Sequence, residues 1–228
     1  MKKTGLGTDA ISLTGYVELS SIVNWHINNN RQHVLKRDKP EMMFDVKTRV
    51  EFYDIKKYLT KDMDLLDIGC STGLFGFYLS DYVKNVVGID YNKENIERAI
   101  GFKNSKNKDN CDFYNKSFSE FFASNNKKTF DFVLLLALID HIKNDSDKNG
   151  NSLTREEIID IILTKINKNG YLLIESAPIR TNFNQLPPIE YEYEWQILYE
   201  NLKKNKNLQE IYTKSSREKR ILHLFKKI

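Results

Sequence analysis

From about Asp64 onward, short apolar runs alternate with helical patterns. Leu65 to Ile68, Asn85 to Asp90, Asp112 to Tyr114, Phe130 to Ala137 and Gly170 to Glu175 read as strands. Runs this rich in Leu, Val and Ile, with helical stretches between them, predict a parallel sheet covered on both faces. The clearest helix starts at Thr154 and runs to about Asn167: Thr154 and Glu157 are spaced as a capping box, Ile158, Ile161, Ile162 and Ile166 form an apolar stripe, and Gly170 follows the end. The chain closes differently. Leu208 to Thr213 and Arg220 to Phe225 each alternate as strands do, and Lys214 to Lys219 between them are too few for a crossover helix. They are expected to pair as an antiparallel hairpin along one edge. Residues 1 to about 60 read as an N-terminal helical cap with polar linkers, and 61–228 as the domain proper. That domain carries an insertion at about 178–201, which holds Pro187-Pro188 and the aromatic series Phe183, Tyr191, Tyr193, Trp195 and Tyr199.

Composition narrows the class. A chain of 228 residues suits one α/β domain and leaves little room for a second. The 35 basic and 31 acidic residues leave a net charge of only +4, spread along the chain. A nucleic-acid binder gathers Lys and Arg on one face, so a nucleic-acid partner is not expected. Cys70 and Cys111 stand in unrelated contexts, which suits neither a disulfide scaffold nor a zinc site and points to the cytoplasm. His26 and His33 lack acidic partners, so no metal is expected. Met1-Lys2-Lys3 is not followed by an apolar run, which argues against a signal peptide. The longest apolar stretch, Phe132 to Ile139, is far too short for a bilayer core of about 30 Å.

Chemistry concentrates after the first strand. Gly69 and Gly73 bracket a turn, and Gly76 lies one helical turn further on. Glycine lets the backbone approach a ligand without a Cβ in the way, and the turn feeds a helix whose free N–H groups suit a polar ligand. Asp90, about 20 residues on at the end of the second strand, is placed to accept hydrogen bonds from both ribose hydroxyls of an adenosine. A dinucleotide site would follow G-x-G-x-x-G, yet position 71 is Ser, so a pyrophosphate would lack its close-approach glycine. S-adenosylmethionine (SAM) has no pyrophosphate, and its amino-acid end can lie over Asp67 and Gly69.

These segments resemble the class I SAM-dependent methyltransferases. Leu65 to Gly73 resembles the family's first motif, Val87 to Asp90 its second, Phe130 to Leu136 its fourth-strand motif, and Asn169 to Glu175 the segment entering the fifth strand. The resemblance implies a Rossmann-like doubly wound α/β fold of five parallel strands plus a C-terminal antiparallel hairpin. It implies SAM as cofactor and S-adenosylhomocysteine (SAH) as product. The cofactor residues it implies are Asp67, Gly69, Cys70, Ser71, Gly73, Asp90, Tyr91, Ser117, Phe118 and Leu136. Ser71 replaces a common glycine. Ser117 stands where an acidic residue often contacts the adenine amino group, which leaves that role to the backbone of Phe118. Asp67 to Phe77 and Leu134 to Ile142 are most similar to a bacterial subgroup that methylates surface polysaccharide and lipopolysaccharide precursors, and that includes tRNA wobble-uridine enzymes. Members carry an upstream Arg, a place Arg49 fills, within reach of the SAM carboxylate.

The acceptor is expected beyond the ends of the fourth and fifth strands. There His141 is a candidate general base, since imidazole titrates in a suitable range. Asp140 is placed to orient it, and Glu175 is a candidate in its stead; the plainer reading has His141 capping the strand and packing on the cofactor. The aromatic series either stacks on an acceptor or forms a small accessory core. Arg180 and the loop from Lys214 to Lys219 either offer cations to an anionic acceptor or form a solvated turn. The resulting expectation is an O-methyltransferase acting on a small carbohydrate-linked or phosphorylated precursor in capsule or envelope glycan synthesis. The alternatives are a tRNA-modifying enzyme and a non-catalytic partner subunit, although the latter would be expected to lose Gly69, Gly73 and Asp90.

Overall fold

The computed structural model describes residues 46–124, 127–143, 153–176, 189–215 and 221–228. Seven strands form one sheet: β1 (Asp64–Ile68), β2 (Asn85–Asp90), β3 (Cys111–Asn115), β4 (Phe130–Leu136), β5 (Ile166–Glu175), β6 (Leu208–Ser215) and β7 (Ile221–Lys227). Their order is β3-β2-β1-β4-β5-β7-β6. The first five run parallel, and β7 pairs antiparallel with both β5 and β6. The expected doubly wound sheet with a terminal hairpin is what the chain forms.

Each central strand divides its side chains between two apolar layers, as its period of two requires. Leu66, Ile68, Val133, Leu135, Leu172 and Ile174 pack on one face. Leu65, Phe132, Leu134 and Leu173 pack on the other. Helices α4 (Phe118–Ala123), α5 (Ile139–Lys143), α6 (Arg155–Thr164) and α7 (Ile189–Lys204) contribute to the first layer. Helices α1 (Val46–Tyr53), α2 (Leu74–Leu79) and α3 (Lys93–Lys106) contribute to the second. Burial on both faces explains why β1, β4 and β5 read as continuous apolar runs rather than alternating ones. Among the described residues, no helix is long and apolar enough to cross a membrane.

Local signals set several boundaries. Thr154 caps α6 through the capping box foreseen with Glu157. The helix ends at Thr164, however, and not near Asn167. Lys165 adopts φ −100° and ψ 0°, and its carbonyl accepts from the amide of Phe130 at 2.8 Å. Ile166 therefore starts β5 opposite Phe130 instead of continuing the helical stripe. A register shift and Asn169 at φ +67° then bring the strand back into line.

Of the segment 178–201, residues 189–201 are described. Its described part belongs to α7, which reaches Lys204 and covers the sheet like any other helix. Trp195, Leu198 and Leu202 are buried in the first apolar layer, at helical spacing. Tyr199 stacks on His223 of β7, with centroids 4.0 Å apart. These two aromatics thus belong to the main core, neither to an acceptor mouth nor to an accessory core. Phe183, Arg180, residues 216–220 and all of 1–45, which hold His26, His33 and most of the expected cap, lie outside the described residues. The side chains of Tyr191 and Tyr193 lie outside them too.

Truncating Trp195 is expected to cost stability rather than acceptor binding alone. Trp195→Ala should lower the unfolding free energy by about 3–5 kcal/mol in urea titration. Trp195→Phe should cost less, because the indole N–H is buried with no partner among the described residues. An Ala variant as stable as wild type would put Trp195 outside the core.

Candidate active site

Strand order reverses between β2-β1 and β4-β5, and the crevice at such a reversal, beyond the carboxyl ends of the strands, is where ligands bind in open α/β sheets. The chain leaves β1 at Ile68 and is helical again at Leu74. It turns through left-handed backbone at Gly69 (φ +69°), Ser71 (φ +52°) and Gly73 (φ +79°). A Cβ on Gly69 would lie 2.4 Å from Leu138 Cδ2, and one on Gly73 would lie 2.7 Å from Phe113 Cε1. Both positions therefore need glycine for conformation and for space. Ser71 accepts the uncommon geometry, and its amide donates to Asp90 Oδ2 at 2.9 Å.

Asp90 ends β2. Its other carboxylate oxygen accepts from the amide of Asn92 at 2.8 Å, and Asn92 caps α3. A carboxylate has about four acceptor positions, so two amides leave room for a vicinal diol. Beside it opens a cleft of about 270 Å³. Ile68, Ile89, Phe118, Leu138 and Ile142 give it apolar walls of the kind a purine ring requires. Lys116 and His141 supply polar groups at its edge.

Asp67 lies on the turn side of β1, 4% exposed. Its Oδ2 is buried and has no partner among the described residues. Burial, reinforced by the charge of Asp90 and opposed by Arg49 and the Gly76 amide, pushes its carboxyl up to about 7. A buried carboxylate with one oxygen unpaired calls for a cation, which the ammonium of an amino-acid end provides. Together with the glycine turn and the Asp90 acceptors, this fits SAM along its length.

The structure brings most of the sequence-derived residues together. Gly69, Asp90, Tyr91, Ser117, Phe118 and His141 line the one cleft, while Asp67, Cys70, Ser71 and Gly73 lie in β1 and the turn after it. Cys70 acts there through its backbone, donating to Ile89 O at 2.9 Å. Burial holds its thiol well above the ordinary range. The Ser117 hydroxyl is engaged with Glu120 in a capping box that starts α4. Asp140 accepts from Arg155 Nε at 2.8 Å. Leu136 lies at the end of β4, opposite Glu175. Arg49 and Glu175 form a separate cluster with Tyr53 on the face that Asp67 also joins. Sequence reading missed Tyr53, Lys116, Leu138 and Ile142. Only Leu138 and Ile142 carried a local signal, an i, i+4 spacing across the turn that starts α5.

Asp67 should make stability and binding oppose each other. Its native carboxyl titrates near 7 against an ordinary 3.8. The folded state thus binds the proton more tightly, and stability falls as pH rises between those values. Asp67→Asn should abolish that slope, so the ligand-free variant melts above wild type at pH 8 and level with it at pH 4. SAH should bind it more weakly. A variant with the wild-type pH profile would refute the burial of an ionisable group there.

Comparison with known proteins agrees with this geometry. The methyltransferase domain family matches residues 59–226. A SAM-dependent methyltransferase from Aquifex aeolicus superposes with a TM-score of 0.59 at 17% identity, covering 85% of this chain and 95% of its own. The N-methyltransferase NodS of Bradyrhizobium japonicum, in complex with SAH, gives 0.55 at 18% identity, with 86% and 95% covered. Among curated relatives is the ubiquinone biosynthesis O-methyltransferase of Pelagibacter ubique, 38% identical over 107 residues, or 46% of this chain and 42% of the relative. The protein of the same name from Rickettsia bellii is 30% identical over 115 residues, or 49% and 46%. The match spans less than half the length of these curated relatives. Their names overturn the expectation of an acceptor in capsule or envelope glycan synthesis. The subgroup resemblance rested on two short stretches, Asp67 to Phe77 and Leu134 to Ile142, too little of the chain to fix an acceptor. With most of its length matched, the chain belongs to the methyltransferase domain family.

Proposed function

We propose that this chain is a SAM-dependent O-methyltransferase acting on a hydroxyl of a small molecule. The observation that carries the reading is the buried, unpaired Oδ2 of Asp67 beside a glycine turn, with Asp90 ending the adjacent strand. SAM, when bound, supplies a methyl group already activated on a sulfonium. The protein's own work is then to bind, to orient and to exclude water. Asp67 receives a positive group, Asp90 a diol and the apolar walls a flat ring. An acceptor held in line, about 3–3.5 Å from the carbon it attacks, gains much of the rate from positioning alone.

His141 stands at the cleft on α5, exposed enough to meet an acceptor. Its amide donates to Leu138 O at 2.8 Å, which fixes the turn that presents the ring. We assign it the proton of the acceptor hydroxyl. Asp140 has its carboxylate on Arg155, so its part is to anchor α5 to α6. The ubiquinone biosynthesis O-methyltransferases among the relatives support oxygen as the methyl acceptor. Hydroxylated ubiquinone precursors are accordingly the first acceptors to try.

Transfer of labelled methyl from SAM to such precursors should be detected with wild type and lost with Asp90→Ala, which removes the diol acceptor. His141→Ala should lower kcat by about 100-fold or more, as loss of a general base does, and weaken SAH binding far less. Turnover that survives His141→Ala would remove the base from the account. Methyl transfer to no hydroxylated acceptor would count against the O-methyltransferase reading itself.

A further inference from the structure

Beside the glycine turn, Arg49 of α1 is held by two residues with no evident reason to hold it so firmly. Glu175, 2% exposed at the end of β5, accepts from Arg49 Nη2 at 3.0 Å and from the Tyr53 hydroxyl at 2.8 Å, one on each carboxylate oxygen. The Tyr53 oxygen in turn accepts from Arg49 Nε at 2.9 Å. The guanidinium lies 4.7 Å from the ring centroid of Phe75 in the first turn of α2, and Tyr53 stacks on the same ring at 5.9 Å. The cluster is thus fixed against the helix that the glycine turn feeds. Burial, then the charge of Glu175 against the opposing pull of Arg49, raises the Tyr53 hydroxyl far out of its ordinary range and keeps it a donor.

An ion pair buried at a sheet end is a poor stabilising device, since apolar side chains of like volume do as well or better. Its location suggests a different use. Asp67 and Glu175 rise from the same sheet face, since Asp67 lies opposite Leu134 and Leu134 opposite Leu173, so Arg49 on Glu175 stands on the side of Asp67, whose Oδ2 has no partner among the described residues. A free arginine would turn to that carboxylate. Arg49 instead stays on Glu175 and Tyr53, whose fork-shaped contacts fix the plane of the guanidinium.

We propose that Tyr53 and Glu175 are positioning residues that keep Arg49 off Asp67, so that a zwitterionic amino-acid end finds a cation at Arg49 and a bare anion at Asp67. This rests on the SAM reading of the site. It gives Glu175 a role other than proton acceptor, because both its oxygens already serve this cluster. It also adds Tyr53, one turn after Arg49 on α1, to the residues that shape the cofactor site.

Calorimetric titration with two ligands separates positioning from simple support of the fold. SAH carries the amino-acid end, whereas 5′-deoxy-5′-methylthioadenosine has the same adenosine and sulfur without it. Tyr53→Phe keeps the ring on Phe75 and removes one hydroxyl, and Glu175→Gln keeps the shape and removes the charge. Each should weaken SAH about tenfold or more, the size of a lost charged hydrogen bond, and leave the methylthioadenosine affinity at the wild-type value. Equal weakening of both ligands, or no weakening of SAH, overturns the proposal while the cofactor reading stands. Failure of wild type to bind either ligand overturns both.

Discussion

Between Ile68 and Leu74 the chain must pass from a buried strand into a helix that returns along the sheet. Left-handed backbone at Gly69, Ser71 and Gly73 makes this possible, and the site follows from it. The turn sends the Ser71 amide to Asp90, which joins the ends of β1 and β2. It starts α2 so that Phe75 meets Arg49 and Tyr53. It also keeps the space that a Cβ at position 69 would take from Leu138, one wall of the cleft. A side chain at either glycine would disturb local conformation and distant packing together.

The site divides into two parts that balance charge differently. Around Asp90 the carboxylate is satisfied by two backbone amides before any ligand arrives. Around Asp67 one carboxylate oxygen is left unpaired, and the protein tolerates a carboxyl titrating near 7 in its interior. Stability is thereby given up locally where a cation is to bind, a trade common at functional sites. The neighbouring Arg49–Tyr53–Glu175 cluster shows that a cation was available within the chain and is held elsewhere.

Features set by near neighbours in sequence were legible. The strands, the terminal hairpin, the Thr154 capping box and the glycine turn with Asp90 each rest on a spacing of a few residues or on a motif. The helix Ile189–Lys204 was legible too in Trp195, Leu198, Tyr199 and Leu202. Dense aromatics and Pro187-Pro188 drew the reading toward an insertion, although tyrosine and tryptophan fill a helical stripe as readily as leucine does. The end of α6 was misread because Ile166 continues the helical stripe and yet pairs with Phe130 across the sheet. Tyr53 and Glu175 lie 122 residues apart, and no local pattern announces their contact. The acceptor was misread for a related reason: the motifs that identify the family surround its cofactor, and resemblance there says little about what is methylated.

A structure of the protein with SAH bound tests the central claim most directly. The account predicts both ribose hydroxyls on the Asp90 carboxylate, the adenine between the apolar walls of the cleft, and the ammonium on Asp67 Oδ2. SAH bound elsewhere, or bound in the cleft with Asp67 still unpaired, would contradict it.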